Sequence, residues 1–227
     1  MIDKSNQENT MIRLKVWGDL ACFTRPEMKV ERVSYDVMTP SAARGILEAI
    51  FWKPQMRWII REIEVLNSIE WTNIRRNEVS KKIPISGGTG VNAAIKKGSG
   101  KLGIYIEAER QQRAGLLLKN VAYIIHADIR LTNKAGKADS LIKYQEMFKR
   151  RVNKGQCFHT PYFGCREFPA NFSAPDGTET PLATTTEFGW MLHDMDYSGK
   201  DPVAQFFKAN MENGRIRIPP PNAAEVM

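Results

Sequence analysis

The sequence predicts an α+β protein: an antiparallel sheet with two helices on one face, a basic insertion within it, and a small β-rich part towards the C-terminus. Three observations carry this expectation. Apolar runs with the period or composition of strands recur at 12–18, 56–69 and 121–131. Two segments with helical period and terminal signals, Thr39 to Pro54 and Asp139 to Gly155, alternate with them. Between the second and third strand runs, a stretch rich in Gly, Ser and Lys breaks every period.

The elements follow in order. Residues 1–10, MIDKSNQENT, are polar, lack the apolar run of a signal peptide, and are expected to form a loose tail. Ile12, Leu14 and Val16 alternate with Arg13, Lys15 and Trp17, the period of a half-buried strand. Phe23 to Lys29, polar and broken by Pro26, reads as a loop. In the next segment Thr39 or Ser41 can cap a helix whose first turn suits Pro40. Ala43, Ile46, Leu47 and Ile50 share a face, Arg44 and Glu48 pair at i, i+4, and Lys53-Pro54 is the stop. The last turn puts Phe51, Trp52 and Lys53 side by side, a corner that suits RNA and core equally. Met56 to Ile69, rich in Trp and β-branched residues, reads as a long second strand.

From Glu70 to about Asn120 the pattern degrades. Lys81 to Lys101 cannot build a core element by itself and is expected to be a mobile basic insertion, with Leu102 to Glu107 as a short returning strand. Val121 to Leu131 is a strand. Asp139 to Val152 is a helix with Asp139 as N-cap, Lys149-Arg150-Arg151 at the end where cations suit the macrodipole, and Gly155 as the stop. A further strand is expected near Phe163 to Phe168. The order β-α-β-β-α-β is the ferredoxin-like (RRM-like) pattern, here over residues 11–169 with its insertion at about 72–120. Residues 170–227, with Pro and Gly breaks, an apolar segment from Phe188 to Met195 and a late strand at Gly214 to Pro219, are expected to form a small β-rich domain.

A chain of 227 residues with 42% hydrophobic content can bury a substantial core. The formal charge of +8 and the pI near 9.4 are clustered. Arg75-Arg76, Lys81-Lys82, Lys96-Lys97 with Lys101, and Lys149-Arg150-Arg151 with Lys154 form separate positive patches. Such a distribution points to a polyanionic partner, nucleic acid above all, through counterion release and steering. No run approaches the roughly 18 apolar residues that a membrane span needs. The three cysteines, Cys22, Cys157 and Cys165, read as thiols of a reducing, cytoplasmic compartment.

Several enzyme signatures fail on spacing. Gly88 to Ala93 matches G-x-G-x-x-A but follows Pro84-Ile85-Ser86, not a strand end. Gly98-Ser99-Gly100-Lys101 has Ile95 where a phosphate loop needs its first Gly, and Leu102 where it needs Ser or Thr. Cys157, His159 and Cys165 offer three zinc ligands without the paired C-x-x-C that would complete a site, so neither metal nor cofactor is expected. His126 and His193 lie within apolar strand-like segments and read as core, and no G-x-S-x-G is present. On the second helix, Lys143, Met147 and Arg150 share a face beside the apolar set Leu141, Tyr144 and Phe148. Lys143 can therefore offer its cation to a phosphate, while Tyr144 can project its hydroxyl outward or serve simply as core.

Five blocks carry a family resemblance: GDLACFTRPEMKVERVSYDVMTPSAARGILEAIFWKP (Gly18 to Pro54), IRRNEVSKKIP (Ile74 to Pro84), ERQQRAGLLLKNVAY (Glu109 to Tyr123), KGQCFHTPYFGCREFPA (Lys154 to Ala170) and FFKANMENG (Phe206 to Gly214). In order and spacing they resemble the Cas-five family of type I-C CRISPR systems. The resemblance implies a RAMP-type RNA-binding protein that cuts the repeat of CRISPR precursor RNA and keeps the 5′ handle of the crRNA. It implies a place at one end of the Cascade complex, beside the backbone and large subunits. The implied chemistry is metal-independent attack of a 2′-OH on the adjacent phosphate, leaving a 2′,3′-cyclic phosphate and a 5′-OH.

Family members use a tyrosine at the end of the first helix and an adjacent Lys-His pair on the second. Position by position these fall on Phe51 and on Lys143-Tyr144. The resemblance thus implies Lys143 as the cation for the phosphorane and Tyr144 as the proton-transfer group, with His159 as a weaker addition. Phe51 has no ionisable proton and can only stack or pack. Tyr144, with an ordinary pKa near 10, is a poor base unless Lys143 lowers that value. The candidate RNA-binding side chains are Arg25, Lys29, Arg44, Trp52, Lys53, Arg75, Arg76, Lys81, Lys82, Arg113, Arg150 and Arg151. Two substituted positions leave a second reading, a non-catalytic subunit that holds the handle and assembles Cascade. Contact of the Lys81 to Lys101 insertion with double-stranded DNA is compatible with both.

Overall fold

The computed structural model describes residues 11–88, 90–99, 103, 105–197, 199–221 and 223–227. They form two compact units, one from the residues up to Thr72 together with Leu116–Met227, the other from Asn73–Gly115. The elements in chain order are β1 (Ile12–Ala21), α1 (Pro40–Ile50), β2 (Met56–Val65), β3 (Glu70–Val79), α2 (Val91–Lys97), α3 (Ile106–Glu109), β4 (Arg110–Leu131), α4 (Leu141–Asn153), β5 (Asn171–Ser173), β6 (Thr186–Asp196), β7 (Val203–Glu212) and β8 (Arg215–Arg217).

The protein is thus a mixed α and β structure built on an antiparallel sheet of strand order β5-β1-β4-β2-β8-β7-β6, with β3 pairing β4 off that path. Register is fixed at the centre by cross-strand apolar pairs. Leu14 faces Ile125, Val16 faces Tyr123 and Ile63 also faces Ile125. A one-residue slip would carry these side chains to the wrong face, so the alternation in β1 specifies its pairing. The expected strand at 12–18 extends to Ala21.

Helix α1 forms where the caps and period place it. Thr39 accepts from the Ala42 N–H at 3.3 Å, Pro40 occupies the first turn, and Ala43, Ile46, Leu47 and Ile50 are buried. Each fully buried side chain of this size contributes about 1.5–3 kcal/mol, so the apolar face, not propensity, holds the helix down. Phe51 leaves helical geometry at φ −154°, and Pro54 prevents resumption.

Several expectations need correction. The second strand ends at Val65, and a separate strand, β3, occupies Glu70–Val79. The predicted strand at Leu102 to Glu107 is not found: Leu102 and Ile104 lie outside the described residues, and Ile106 and Glu107 open the short helix α3. The strand expected from Val121 begins at Arg110. The N-cap of α4 is Ser140, whose hydroxyl accepts from the Lys143 N–H at 3.2 Å, not Asp139. Phe163 to Phe168 is a tight turn closed by Phe163 N–H to the Phe168 carbonyl (2.8 Å) and Phe168 N–H to the Cys165 carbonyl (2.9 Å), and the short strand lies beyond it at Asn171–Ser173. Gly164 explains the turn. Its φ is +78°, and a Cβ there would stand 1.9 Å from the Cys22 carbonyl oxygen. Strand β7, which buries Phe207, Ala209 and Met211 on alternate positions, is a further strand beyond those expected.

Candidate active site

The end of α1 and the start of α4 meet over a shared aromatic core. Trp58, from β2, packs edge-on against Phe148 of α4 with ring centroids 4.9 Å apart. Its indole N–H donates to the Phe51 carbonyl at 2.9 Å. Arg151 donates to the Ile50 carbonyl and sets its guanidinium 5.2 Å from the centre of the Phe51 ring. One cation thereby satisfies an orphan carbonyl of the α1 end and lies over an aromatic ring. Phe51 is fully buried and reaches Tyr144 with a centroid separation of 6.0 Å. The structure therefore brings together Phe51 and Lys143-Tyr144, positions far apart in sequence.

Asp139, at the foot of α4, organises the polar side of this corner. The Tyr144 hydroxyl donates to Asp139 Oδ1 at 2.5 Å, the Lys143 amine donates to the same oxygen at 3.3 Å, and the Gly136 N–H donates to Oδ2 at 2.9 Å. Lys143 also donates to the Ala138 carbonyl at 3.1 Å. The hydrogen bond from Tyr144, with those from Gly136 and Lys143, holds the Asp139 carboxyl below the usual carboxylate range. The same carboxylate, with burial, pushes the Tyr144 phenol up to about 12. Lys143 does not lower it. Tyr144, only 2% exposed, is thus a fixed donor and not a base at neutral pH, whereas the Lys143 side chain remains 46% exposed.

A loop carrying His159 hangs on the same helix end. The Phe158 and His159 N–H groups both donate to the Ala49 carbonyl, at 2.8 and 3.3 Å. The His159 ring is exposed and lies nearly parallel to Tyr162 at 6.4 Å, and Phe158 is 82% exposed. Trp52, on the residue after the helix cap, is 52% exposed. The sequence did not single out Phe158, and it gave Asp139 only the part of a helix cap. A phenyl ring in the polar stretch Lys154 to Thr160, outside any apolar period, was the available signal for the first.

The remaining candidates differ in how far the fold already engages them. Arg44 makes a two-pronged contact with Asp194 at 3.0 and 2.8 Å and a third with Glu48 at 2.8 Å. Arg25 pairs with Asp36 at 2.9 Å and lies 4.5 Å from the Tyr35 ring centre. Lys29, Lys53 and Arg150 are exposed. In the unit Asn73–Gly115, Arg75 and Lys82 are exposed, Arg76 is half-buried, Lys81 contacts Glu109, and Arg113 lies 3.6 Å from Glu78.

One group of potential metal ligands occurs among the described residues: Glu62, Glu64 and His126, with donor atoms within 4.8 Å of one another. Arg215 lies 3.5 Å from Glu64, so a cation already faces this carboxylate, and burial holds the His126 ring towards its neutral form. Among the described residues no metal-ligating group includes Cys157, His159 or Cys165. No helix among them is long and apolar enough to cross a membrane.

Residues 11–219 match the Cas5d family model, described as CRISPR-associated protein (Cas5). A protein of Mannheimia succiniciproducens named CRISPR pre-crRNA endoribonuclease Cas5d is 52% identical over 95% of this chain and 97% of its own length. A Thermus thermophilus protein of the same name is 47% identical over 92% of this chain and 91% of its own length. A crystal structure described as a CRISPR-associated protein superposes with a TM-score of 0.67 at 21% identity, covering 96% of each chain, and shows the same fold. With a family match over most of its length and relatives at this level of identity, the chain belongs to the Cas5d family of CRISPR-associated proteins.

Proposed function

We propose that the chain binds CRISPR precursor RNA and cuts its repeats at the corner where α1 ends and α4 begins, keeping the 5′ handle of the product. The observation that carries this is the meeting of Phe51 with Lys143-Tyr144, in a chain about half identical to two proteins named CRISPR pre-crRNA endoribonucleases. The reaction is metal-independent: the 2′-oxygen attacks in line, giving a 2′,3′-cyclic phosphate and a 5′-OH.

The roles follow from the geometry. In the chain alone, Asp139 collects the donors Lys143 and Tyr144, as an anion would. A scissile phosphate competes for the same two donors. Lys143 then stabilises charge on the phosphorane electrostatically. Tyr144, held protonated by a raised pKa, supplies a proton to the departing 5′-oxygen. Phe51 cannot take a proton and instead packs Tyr144 in place. His159, an exposed imidazole on the loop hung from Ala49, is the remaining candidate to accept the 2′-hydroxyl proton. Trp52 offers a face for base stacking, and Lys53, Lys29 and Arg150 offer exposed cations for phosphates.

The experiment is incubation of the purified protein with its own repeat RNA in EDTA. Cleavage that disappears when the scissile nucleotide is 2′-deoxy is the expected result, and intact RNA or equal cutting of the deoxy substrate overturns the proposal. Burial of a protonless Phe51 favours a second reading, a subunit that holds the handle and assembles Cascade without cutting. Under it, Lys143→Ala leaves RNA ends unchanged and at most weakens binding.

The finer architecture belongs to the same proposal. The order β5-β1-β4-β2, with α1 and α4 as crossovers, supports a ferredoxin-like arrangement whose fourth strand, β5, lies just beyond the expected limit at 169, and the β6–β8 strands support a β-rich part after it. The partners implied are crRNA, the Cascade backbone and large subunits, and double-stranded DNA at the basic Asn73–Gly115 unit.

A further inference from the structure

Outside the corner just described, the structure joins a second set of reactive side chains. Cys22, just after β1, and Cys165, in the turn after Phe163, lie more than a hundred residues apart in the sequence of the large unit. Their backbones are locked together: the Cys22 N–H donates to the Phe163 carbonyl at 3.0 Å, and Gly164 passes so close to the Cys22 carbonyl that no side chain fits. The two thiols are thereby held on neighbouring, facing segments. Arg32 places a guanidinium nitrogen 3.6 Å from the Cys165 sulfur. Cys22 is buried, with Thr24 at 3.4 Å, whereas Cys165 is partly open to solvent.

We infer that Cys165 is a peroxide-reactive thiolate and Cys22 its resolving partner, so that the pair forms an intramolecular disulfide under oxidation. An accessible sulfur beside a cation, with a second thiol on the segment locked next to it, is the arrangement that makes a cysteine selectively oxidisable. Electrostatics agree: interaction with the Cys22 thiol and the charge of Arg32 bring Cys165 down to about 6, while the same interaction with Cys165, together with burial, pushes Cys22 well above the ordinary thiol range. The chemistry balances in two steps. The Cys165 thiolate attacks one oxygen of hydrogen peroxide, the O–O bond breaks, sulfur is oxidised to a sulfenic acid, and the released hydroxide takes a proton to become water. The Cys22 sulfur then attacks the Cys165 sulfur, the S–O bond breaks, and the departing hydroxide leaves as water with the Cys22 proton. The exposed Cys157, which has no such surroundings among the described residues, is the internal control.

The test uses the full-length protein treated with stoichiometric hydrogen peroxide near pH 7, read by intact mass, thiol titration and peptide mapping. The expected result is a mass loss of about 2 Da, a Cys22–Cys165 cross-linked peptide and a retained Cys157 thiol. Cys22→Ser is expected to leave Cys165 as a sulfenic acid that dimedone traps, and Arg32→Gln to slow oxidation about tenfold by reducing the thiolate fraction. Preferential modification of Cys157, or survival of both thiols in the wild-type protein, overturns the inference. The wild-type measurement stands even where a variant fails to fold.

Discussion

Lys143 and Tyr144 share one carboxylate, and that sharing decides what each can do. Removing the Lys143 cation leaves the phosphorane charge without its partner, so Lys143→Ala is expected to lower the single-turnover cleavage rate about 10²–10³-fold. RNA affinity should change far less, and a filter-binding isotherm beside the rate separates the two effects. Tyr144 adds a prediction in pH. Its phenol is raised to about 12 in the folded chain, above the roughly 10 of an unfolded tyrosine. Its hydrogen bond to Asp139 therefore contributes fully below about pH 10 and is lost as pH climbs through about 12. Urea denaturation of the wild type and Tyr144→Phe should show a stability gap that is constant at pH 7–9 and shrinks by pH 11.5. A constant gap at high pH would mean that Asp139 does not hold the phenol. Asp139 behaves in the opposite sense: its depressed carboxyl stabilises above the unfolded value near 3.9 and ceases to do so as pH falls through its lower folded value.

At the scale of elements, the α1 end and the loop it carries determine where the candidate site residues stand. Thr39 caps the first turn through its hydroxyl, and Thr39→Ala is expected to cost about 1 kcal/mol, visible as a shift in the urea midpoint with unchanged slope. Gly164→Ala should be much worse. A φ of +78° and a Cβ 1.9 Å from the Cys22 carbonyl leave no room, so a loss of at least about 3 kcal/mol is expected, measured as a lower Tm. The contrast reflects what was legible beforehand. The strand at β1 and the helix α1 each bury one face against a core, so their periods and caps were written in the residues. Strand β3 alternates exposed with half-buried positions and has no fully buried face, so nothing stamped an apolar period on it. The first residues of β4 are likewise exposed or half-buried. Ser140 and Asp139 are both good caps, and the donors from Tyr144, Lys143 and Gly136 engage the Asp139 carboxylate, while Ser140 takes the Lys143 N–H. The turn at 163–168 depended on a contact with Cys22 more than a hundred residues earlier, which no local pattern encodes. The aligned positions Phe51, Lys143 and Tyr144 were legible through family resemblance. Their mutual packing and the role of Asp139 required the fold.

For the whole molecule, the +8 charge is clustered in separate patches, so binding and chemistry can be tested apart. The candidate active-site corner lies in the large unit, whereas Arg75, Lys82 and Lys97 are exposed on the Asn73–Gly115 unit. If that unit tracks the RNA backbone, each cation releases counterions on binding. The logarithm of the affinity should then fall with the logarithm of salt concentration by roughly 0.7 per phosphate contacted on single-stranded RNA. Replacing Arg75, Lys82 and Lys97 together with alanine should therefore flatten the salt slope by about 2. It should weaken repeat and unrelated RNA by similar factors, because phosphate contacts position without reading sequence. The single-turnover cleavage rate at saturating RNA should stay within about twofold of the wild type, since Lys143 and Tyr144 are untouched. Binding isotherms from 50 to 300 mM salt, paired with saturating cleavage rates, test both halves. An unchanged slope would remove the Asn73–Gly115 unit from the RNA path, and a collapse of the saturated rate would mean that these cations act at the reacting phosphate itself.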